Sequence, residues 1–218
     1  MLLTPASDLP HWGLSGFWGR AIGVWERIAS EWGKPSDIAA QPRISYFSIL
    51  DLRRWVRGLE RFVRYLVLAA ALAFDPGAVR QHKPGPARQR RRVLLWPHKP
   101  EQWPARLTLL PRERDERPTV PRNPDPRRTG TFDAWPLAIR LQAIFNVIEN
   151  PNARVLSCAR ALARIRARNA TANCPRRLGV RELRKPRTDA EHIFYQPTRD
   201  LIPHVEAALG RWQPPEPD

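Results

Sequence analysis

The densest group of side chains with acid–base or metal-binding chemistry lies near the C-terminus. It comprises two histidines and four carboxylates: Asp189, Glu191, His192, Asp200, His204 and Glu206. Imidazoles and carboxylates can hold a divalent metal or transfer protons. Their spacing matches no metal-ligand pattern, however, and the segment is net acidic in a basic chain. We therefore interpret it as an acidic tail that complements arginine-rich helices, and we predict neither a metal site nor a catalytic site.

Motifs that would carry a reaction are not found elsewhere in the sequence. No stretch matches a GxxxxGK[ST] phosphate loop, GxGxxG, HExxH, GxSxG or an EF-hand. The two cysteines, Cys158 and Cys174, lie 16 residues apart without CxxC or Cys/His spacing, so we expect reduced thiols and no zinc. The sequence thus indicates no cofactor and no small-molecule site, and it offers no residue for an enzymatic function.

Arginine is the residue type that suggests a function. The chain has 37 Lys and Arg against 21 Asp and Glu, for a net charge of +16, and only four of the basic residues are lysine. A guanidinium group binds phosphate through two hydrogen bonds and stacks on bases. The charge therefore indicates a polyanion partner. Arg, Ala and Pro all have GC-rich codons, however, so a GC-rich genome would account for part of this composition by itself.

Three arginine-rich blocks are the candidate sites for polyanion binding. They comprise Arg53, Arg57, Arg61 and Arg64; Arg88, Arg90, Arg91 and Arg92; and Arg160, Arg164 and Arg168. Near the second block, Trp96 and Trp103 are candidates for stacking on single-stranded bases. No helix-turn-helix, RNP or zinc-finger signature accompanies the blocks. The alternative interpretation is that these arginines are solvated and paired with the acidic ends of the chain.

The first and third arginine-rich blocks lie on predicted helices, and the sequence predicts a mainly α protein, packed as hairpins or as an irregular bundle. Apolar residues recur at helical spacing, and caps, glycines and prolines set the boundaries. The five predicted helices span residues 15–32, 48–74, 134–149, 151–168 and 199–212. Ser48 and Asp133 are predicted N-caps, and Pro151 is predicted to begin the fourth helix. The third and fourth helices are expected to form a helical hairpin.

The middle of the chain has a different composition. Residues 75–131 contain 11 prolines in 57 positions, and proline blocks helix continuation. We predict a linker or excursion with at most two short strands, at 93–96 and 106–110. The chain therefore divides into a helical part (1–74), this excursion, and a second helical part (132–218), and we expect the two helical parts to share one core.

Two of the predicted helices permit other interpretations. The helix at 48–74 is typical of a core element, but its arginines could instead meet anionic lipid headgroups while its apolar end enters the acyl boundary. Its longest apolar run has ten residues, too few to span a bilayer. The helix at 15–32 has Trp18, Trp25 and Trp32 on one stripe, which favours core anchors, with a protein-binding surface as the alternative.

The sequence therefore predicts a non-catalytic accessory or interaction protein that binds a polyanion, more specifically nucleic acid. The alternative function is a peripheral membrane protein attached through the basic helix at 48–74. The N-terminus has no positively charged region ahead of an apolar run, and Pro5 and Pro10 interrupt it, so it does not resemble a signal peptide. We expect a cytoplasmic location, with membrane association under the alternative.

Overall fold

The computed structural model describes residues 14–41, 44–74, 107, 133–169, 185–186 and 188–212. This part of the chain is helical and contains no strand, so the predicted mainly α fold is confirmed. The helices are α1 (Ser15–Trp32), α2 (Pro35–Ala40), α3 (Tyr46–Ala73), α4 (Trp135–Glu149), α5 (Pro151–Asn169) and α6 (Asp189–Trp212). The predicted strands lie outside the described residues, apart from Leu107, which packs against the core.

Helix α1 ends at Trp32, as the sequence predicts. Gly33 adopts a φ of 86°, which a residue with a Cβ rarely adopts, and its N–H donates to the Ala29 carbonyl at 3.0 Å. The short helix α2 follows at once and was not predicted, because six residues are too few for an apolar period. Asp37 Oδ2 accepts a hydrogen bond from the Lys34 N–H at 2.9 Å and stabilises its N-terminus.

The N-terminus of α3 differs from the prediction. Ser45 is the N-cap, and its Oγ accepts a hydrogen bond from the Ser48 N–H at 3.2 Å. The predicted cap at Ser48 is therefore wrong, and the helix begins two residues earlier. In α4, Asp133 does stabilise the first turn, because its Oδ1 accepts from the Trp135 N–H at 2.9 Å, although Ala134 occupies the N-cap position.

The last helix is longer than the sequence predicted. It begins at Asp189, ten residues before the predicted start at residue 199, and continues through Pro197 and Pro203. Each proline removes a backbone hydrogen-bond donor from the helix. Helix α6 nevertheless buries Phe194, Leu201 and other apolar side chains in the core. This burial compensates for the interrupted hydrogen bonding.

One hydrophobic core contains side chains from all six helices. Helix α3 is its centre and packs against α6, α5, α4 and α1. Helix α5 packs mainly on α3 and only slightly on α4, so the expected hairpin of α4 and α5 is a minor contact. A central helix can bury the apolar stripes of several surrounding helices at the same time.

The tryptophans of α1 contribute to this core. Trp18 and Trp25 are buried, together with Ala21 and Ile28, and Trp32 packs partly buried against them. The ring of Trp25 lies 4.7 Å from that of Phe145 on α4, centroid to centroid. The prediction of core anchors is therefore confirmed for Trp18 and Trp25, and none of the three indoles is an exposed residue.

Candidate polyanion interface

Helix α3 has an apolar face and a basic face. Its apolar side, which includes Leu52, Leu59 and Val63, is fully buried. Arg53, Arg57, Glu60 and Arg64 are spaced 4-3-4 on the other side, so they lie in one row. The remaining arginines of the helix, Arg54 and Arg61, are exposed beside this row. The helical period that buries the core therefore gathers all five arginines of α3 on its outer surface.

Glu60 links this row to α4. Its side chain is only 12% exposed, and its Oε1 accepts a hydrogen bond from Arg64 Nη2 at 2.6 Å. Its other oxygen, Oε2, accepts from Nη2 of Arg140 on α4. Sequence reasoning missed Arg140 because it is a single basic residue in an apolar helix, 80 positions from Glu60. Arg53, Arg57, Glu60, Arg64 and Arg140 are called the α3–α4 basic cluster below.

Positive charge exceeds negative charge in the α3–α4 basic cluster. Four guanidinium groups surround one carboxylate, which leaves a net charge of +3. Burial, followed by the neighbouring charges of Arg53 and Arg140, lowers the pKa of Arg57, and Glu60 opposes this only in part. Within the described part of the chain, Arg53 and Arg57 form no salt bridge with an acidic side chain. An anion bound here would relieve their mutual repulsion.

Helix α5 provides a second basic surface. Its five arginines are accompanied by no acidic residue. Arg160, Arg164 and Arg168 follow one another at four-residue spacing and are all exposed, whereas Ala159 and Leu162 are buried on the opposite side. Because the helix rises 1.5 Å per residue, successive members of the row are about 6 Å apart along the axis. Helix α5 packs on α3, so both basic surfaces belong to one helical body.

The remaining predicted sites have different outcomes. The second basic block, with Trp96 and Trp103, lies outside the described residues. In the acidic segment, Asp200 accepts a hydrogen bond from Gln196 at 2.7 Å and lies 3.8 Å from Arg20. His204 makes an edge contact with the ring of Phe17. Among the described residues no three His, Cys, Asp or Glu side chains are grouped as a metal site requires.

One aromatic side chain near the basic face was not singled out from the sequence. Phe47, in the first turn of α3, is 81% exposed and is the one large hydrophobic side chain left exposed in the described ranges. Its ring contacts that of Tyr46 edge to face at 5.8 Å. Arg54 and Arg61 follow it at seven-residue spacing. This spacing was the available signal, because it places Phe47 off the apolar stripe and in line with two arginines.

The apolar residues that would have to enter the lipid in the membrane alternative are packed in or against the protein core instead. Trp55, Phe62 and Leu66 are buried in the core, and Leu68 and Phe74 are partly buried against it. Removing them from the core to enter a lipid surface would expose the faces they cover on the other helices. None of the described helices is both long enough and apolar enough to cross a membrane.

Comparison with known proteins identifies no relative: the chain matches no protein-family model, no curated protein and no solved structure. A functional interpretation therefore depends on the residues of the site itself.

Proposed function

We propose that this chain is a non-catalytic accessory protein that binds nucleic acid through the phosphate backbone. The observation that carries the proposal is the α3–α4 basic cluster, in which Arg53 and Arg57 repel each other and form no salt bridge among the described residues. Surface arginines that only serve solubility are usually interspersed with acidic residues. Here the cluster has four arginines and one carboxylate instead, and a phosphate diester is an anion whose oxygens fit the guanidinium fork through two hydrogen bonds.

The arginine row of α5 extends the proposed binding surface. A row of side chains about 6 Å apart can follow a polyanion, whereas a small anion would occupy one position only. Helix α5 carries no negative charge that would repel the backbone. Because neither basic surface has groups arranged to read base edges, the proposed binding depends on charge and little on sequence.

Fluorescence anisotropy with labelled DNA and RNA of about 20 nucleotides, at about 50 and 200 mM salt, tests the proposal. The test variant is Arg160→Gln with Arg164→Gln, and the matched control is Arg199→Gln with Arg211→Gln on α6. All four arginines are exposed on helices, so both doubles remove the same charge. We expect the affinity of the unmodified protein to be at least tenfold lower at the higher salt than at the lower salt. The Arg160→Gln, Arg164→Gln variant should bind more weakly than the unmodified protein, whereas the Arg199→Gln, Arg211→Gln variant should not.

Two results would contradict the proposal. The first is the absence of binding to any nucleic acid at the lower salt. The second is equal weakening by both pairs of substitutions, which would mean that the net charge acts and not the α5 surface. Flotation with vesicles containing anionic lipid is the parallel measurement: binding to vesicles without binding to nucleic acid would replace the proposal with the membrane function.

A further inference from the structure

The exposed ring of Phe47 has a particular setting at the start of α3. At this end of the helix, the side away from Phe47 packs against the core, where Ile49 and Leu52 are buried. Phe47 itself is 81% exposed, and its one described ring contact is the edge-to-face contact with Tyr46. Most of the surface of an aromatic side chain is therefore open to a ligand at this position.

Phe47 shares the outer surface of α3 with the arginines. Phe47, Arg54 and Arg61 are separated by seven residues, which corresponds to two helical turns or about 10 Å for each step. Arg57 lies between the two other arginines on the same outer surface and is exposed. An open aromatic face followed by a row of guanidinium groups is the combination by which proteins hold single strands, with bases on the ring and phosphates on the cations.

We infer that α3 binds single-stranded nucleic acid, with one base stacked on Phe47 and the phosphates that follow it on Arg54, Arg57 and Arg61. The inference rests on the proposed function and specifies its substrate class. In a duplex the faces of the bases are covered by their neighbours, so the ring of Phe47 gains no stacking partner there. The base contact therefore favours a single strand over a duplex of equal charge.

A charge-matched pair of probes separates stacking from phosphate binding. The first probe is a labelled oligothymidylate, and the second is an abasic strand with the same number of phosphates. The protein variant is Phe47→Leu, which keeps an apolar, helix-compatible side chain but removes the aromatic face. We expect the unmodified protein to bind oligothymidylate at least fivefold more tightly than the abasic strand, and Phe47→Leu to bind both strands equally, at the abasic level.

The outcomes are distinguishable. Equal binding of both strands by the unmodified protein would overturn the stacking inference and leave the proposed function intact. A preference that persists in Phe47→Leu would also overturn it, because the bases would then be recognised elsewhere. Absence of binding to either strand at low salt would contradict both proposals. Binding to anionic vesicles without binding to either strand would contradict both proposals and favour the membrane function.

Discussion

The ring of Phe194 on α6 lies directly against Gly58 on α3. A Cβ at residue 58 would stand 2.2 Å from Phe194 Cδ2 and 2.6 Å from its Cε2. The ring is held from another side by Trp55, whose ring centroid is 5.8 Å away at an interplanar angle of 76°. The absence of a side chain at Gly58 therefore sets how closely α3 and α6, the pair of helices with the most extensive packing, approach each other.

Substitution of Gly58 by alanine tests this contact. A methyl group there would force the Phe194 ring away from Trp55, and overpacking of this kind costs about 1–3 kcal/mol. Gly23→Ala on α1 is the matched control, because a Cβ at that exposed position meets nothing within 4 Å. The control should be more stable by about 0.5–1 kcal/mol, since alanine favours the helix. Urea denaturation of both variants measures the difference, and a stabilising effect at both positions would contradict the packing.

Glu60 is predicted to affect stability and binding in opposite directions. Glu60→Gln removes the carboxylate that holds Arg64 and Arg140, while the amide oxygen can retain one hydrogen bond. We expect a loss of about 1–2 kcal/mol in the free energy of unfolding, because both guanidinium groups are partly exposed to water. The affinity for nucleic acid should rise, because the net charge of the α3–α4 basic cluster increases.

Asp51→Asn provides the control for Glu60. Asp51 lies 4.0 Å from Arg54 in an exposed pair, so its loss should change the free energy of unfolding by less than about 0.5 kcal/mol. Urea denaturation and anisotropy on the same samples give both quantities. Equal stability losses in the two variants, or weaker binding by Glu60→Gln, would contradict the role of Glu60 as the neutralising group of the cluster.

Cys158 is predicted to be unreactive in the folded protein. Burial raises the pKa of its thiol to about 12, so roughly one molecule in ten thousand carries the thiolate at pH 8. In a Cys174→Ser variant, alkylation of Cys158 should be at least about a hundredfold slower in the native protein than in denaturant. Similar rates in the two conditions would contradict the buried position.

The raised pKa of Cys158 also gives a pH dependence. The unfolded thiol ionises near its ordinary value of 9.0, whereas the folded thiol remains protonated until about 12. The unfolded state therefore binds fewer protons between these values, and stability is lost as pH rises through that window. Cys158→Ala should remove this contribution, so that its stability falls less steeply above pH 9 than that of the unmodified protein. The same dependence of stability on pH in Cys158→Ala and in the unmodified protein would contradict the raised pKa of Cys158.

Local signals in the sequence predicted those parts of the fold that depend on neighbouring residues. The ends of α1 and the first residue of α5 agree with the prediction, because Gly33 and Pro151 act within one turn. The start of α6 was missed, since the contact of Phe194 with Gly58 comes from another helix and the helix continues through Pro197. Tertiary packing overrides local propensity in that case.

The candidate site shows the same limit. Arg53, Arg57 and Arg64 of the α3 row were predicted from spacing alone, because residues of one helix face are determined by its period. Arg61, which was predicted to lie with them, lies beside the row. The role of Arg140 was not predicted, since its position beside Glu60 depends on how α3 and α4 pack. Phe47 was missed because its exposure depends on how the whole fold packs, and its spacing from Arg54 and Arg61 was the one local signal.

The salt dependence of binding tests the central claim most directly, namely that the arginines of α3 contact phosphate. For a single strand, the slope of log affinity against log salt changes by about 0.7 for each phosphate contact. Arg57→Gln with Arg61→Gln should therefore make the slope shallower by roughly 1.4, whereas Arg199→Gln with Arg211→Gln should leave it unchanged. A slope that is the same in the unmodified protein and both doubles would contradict the account.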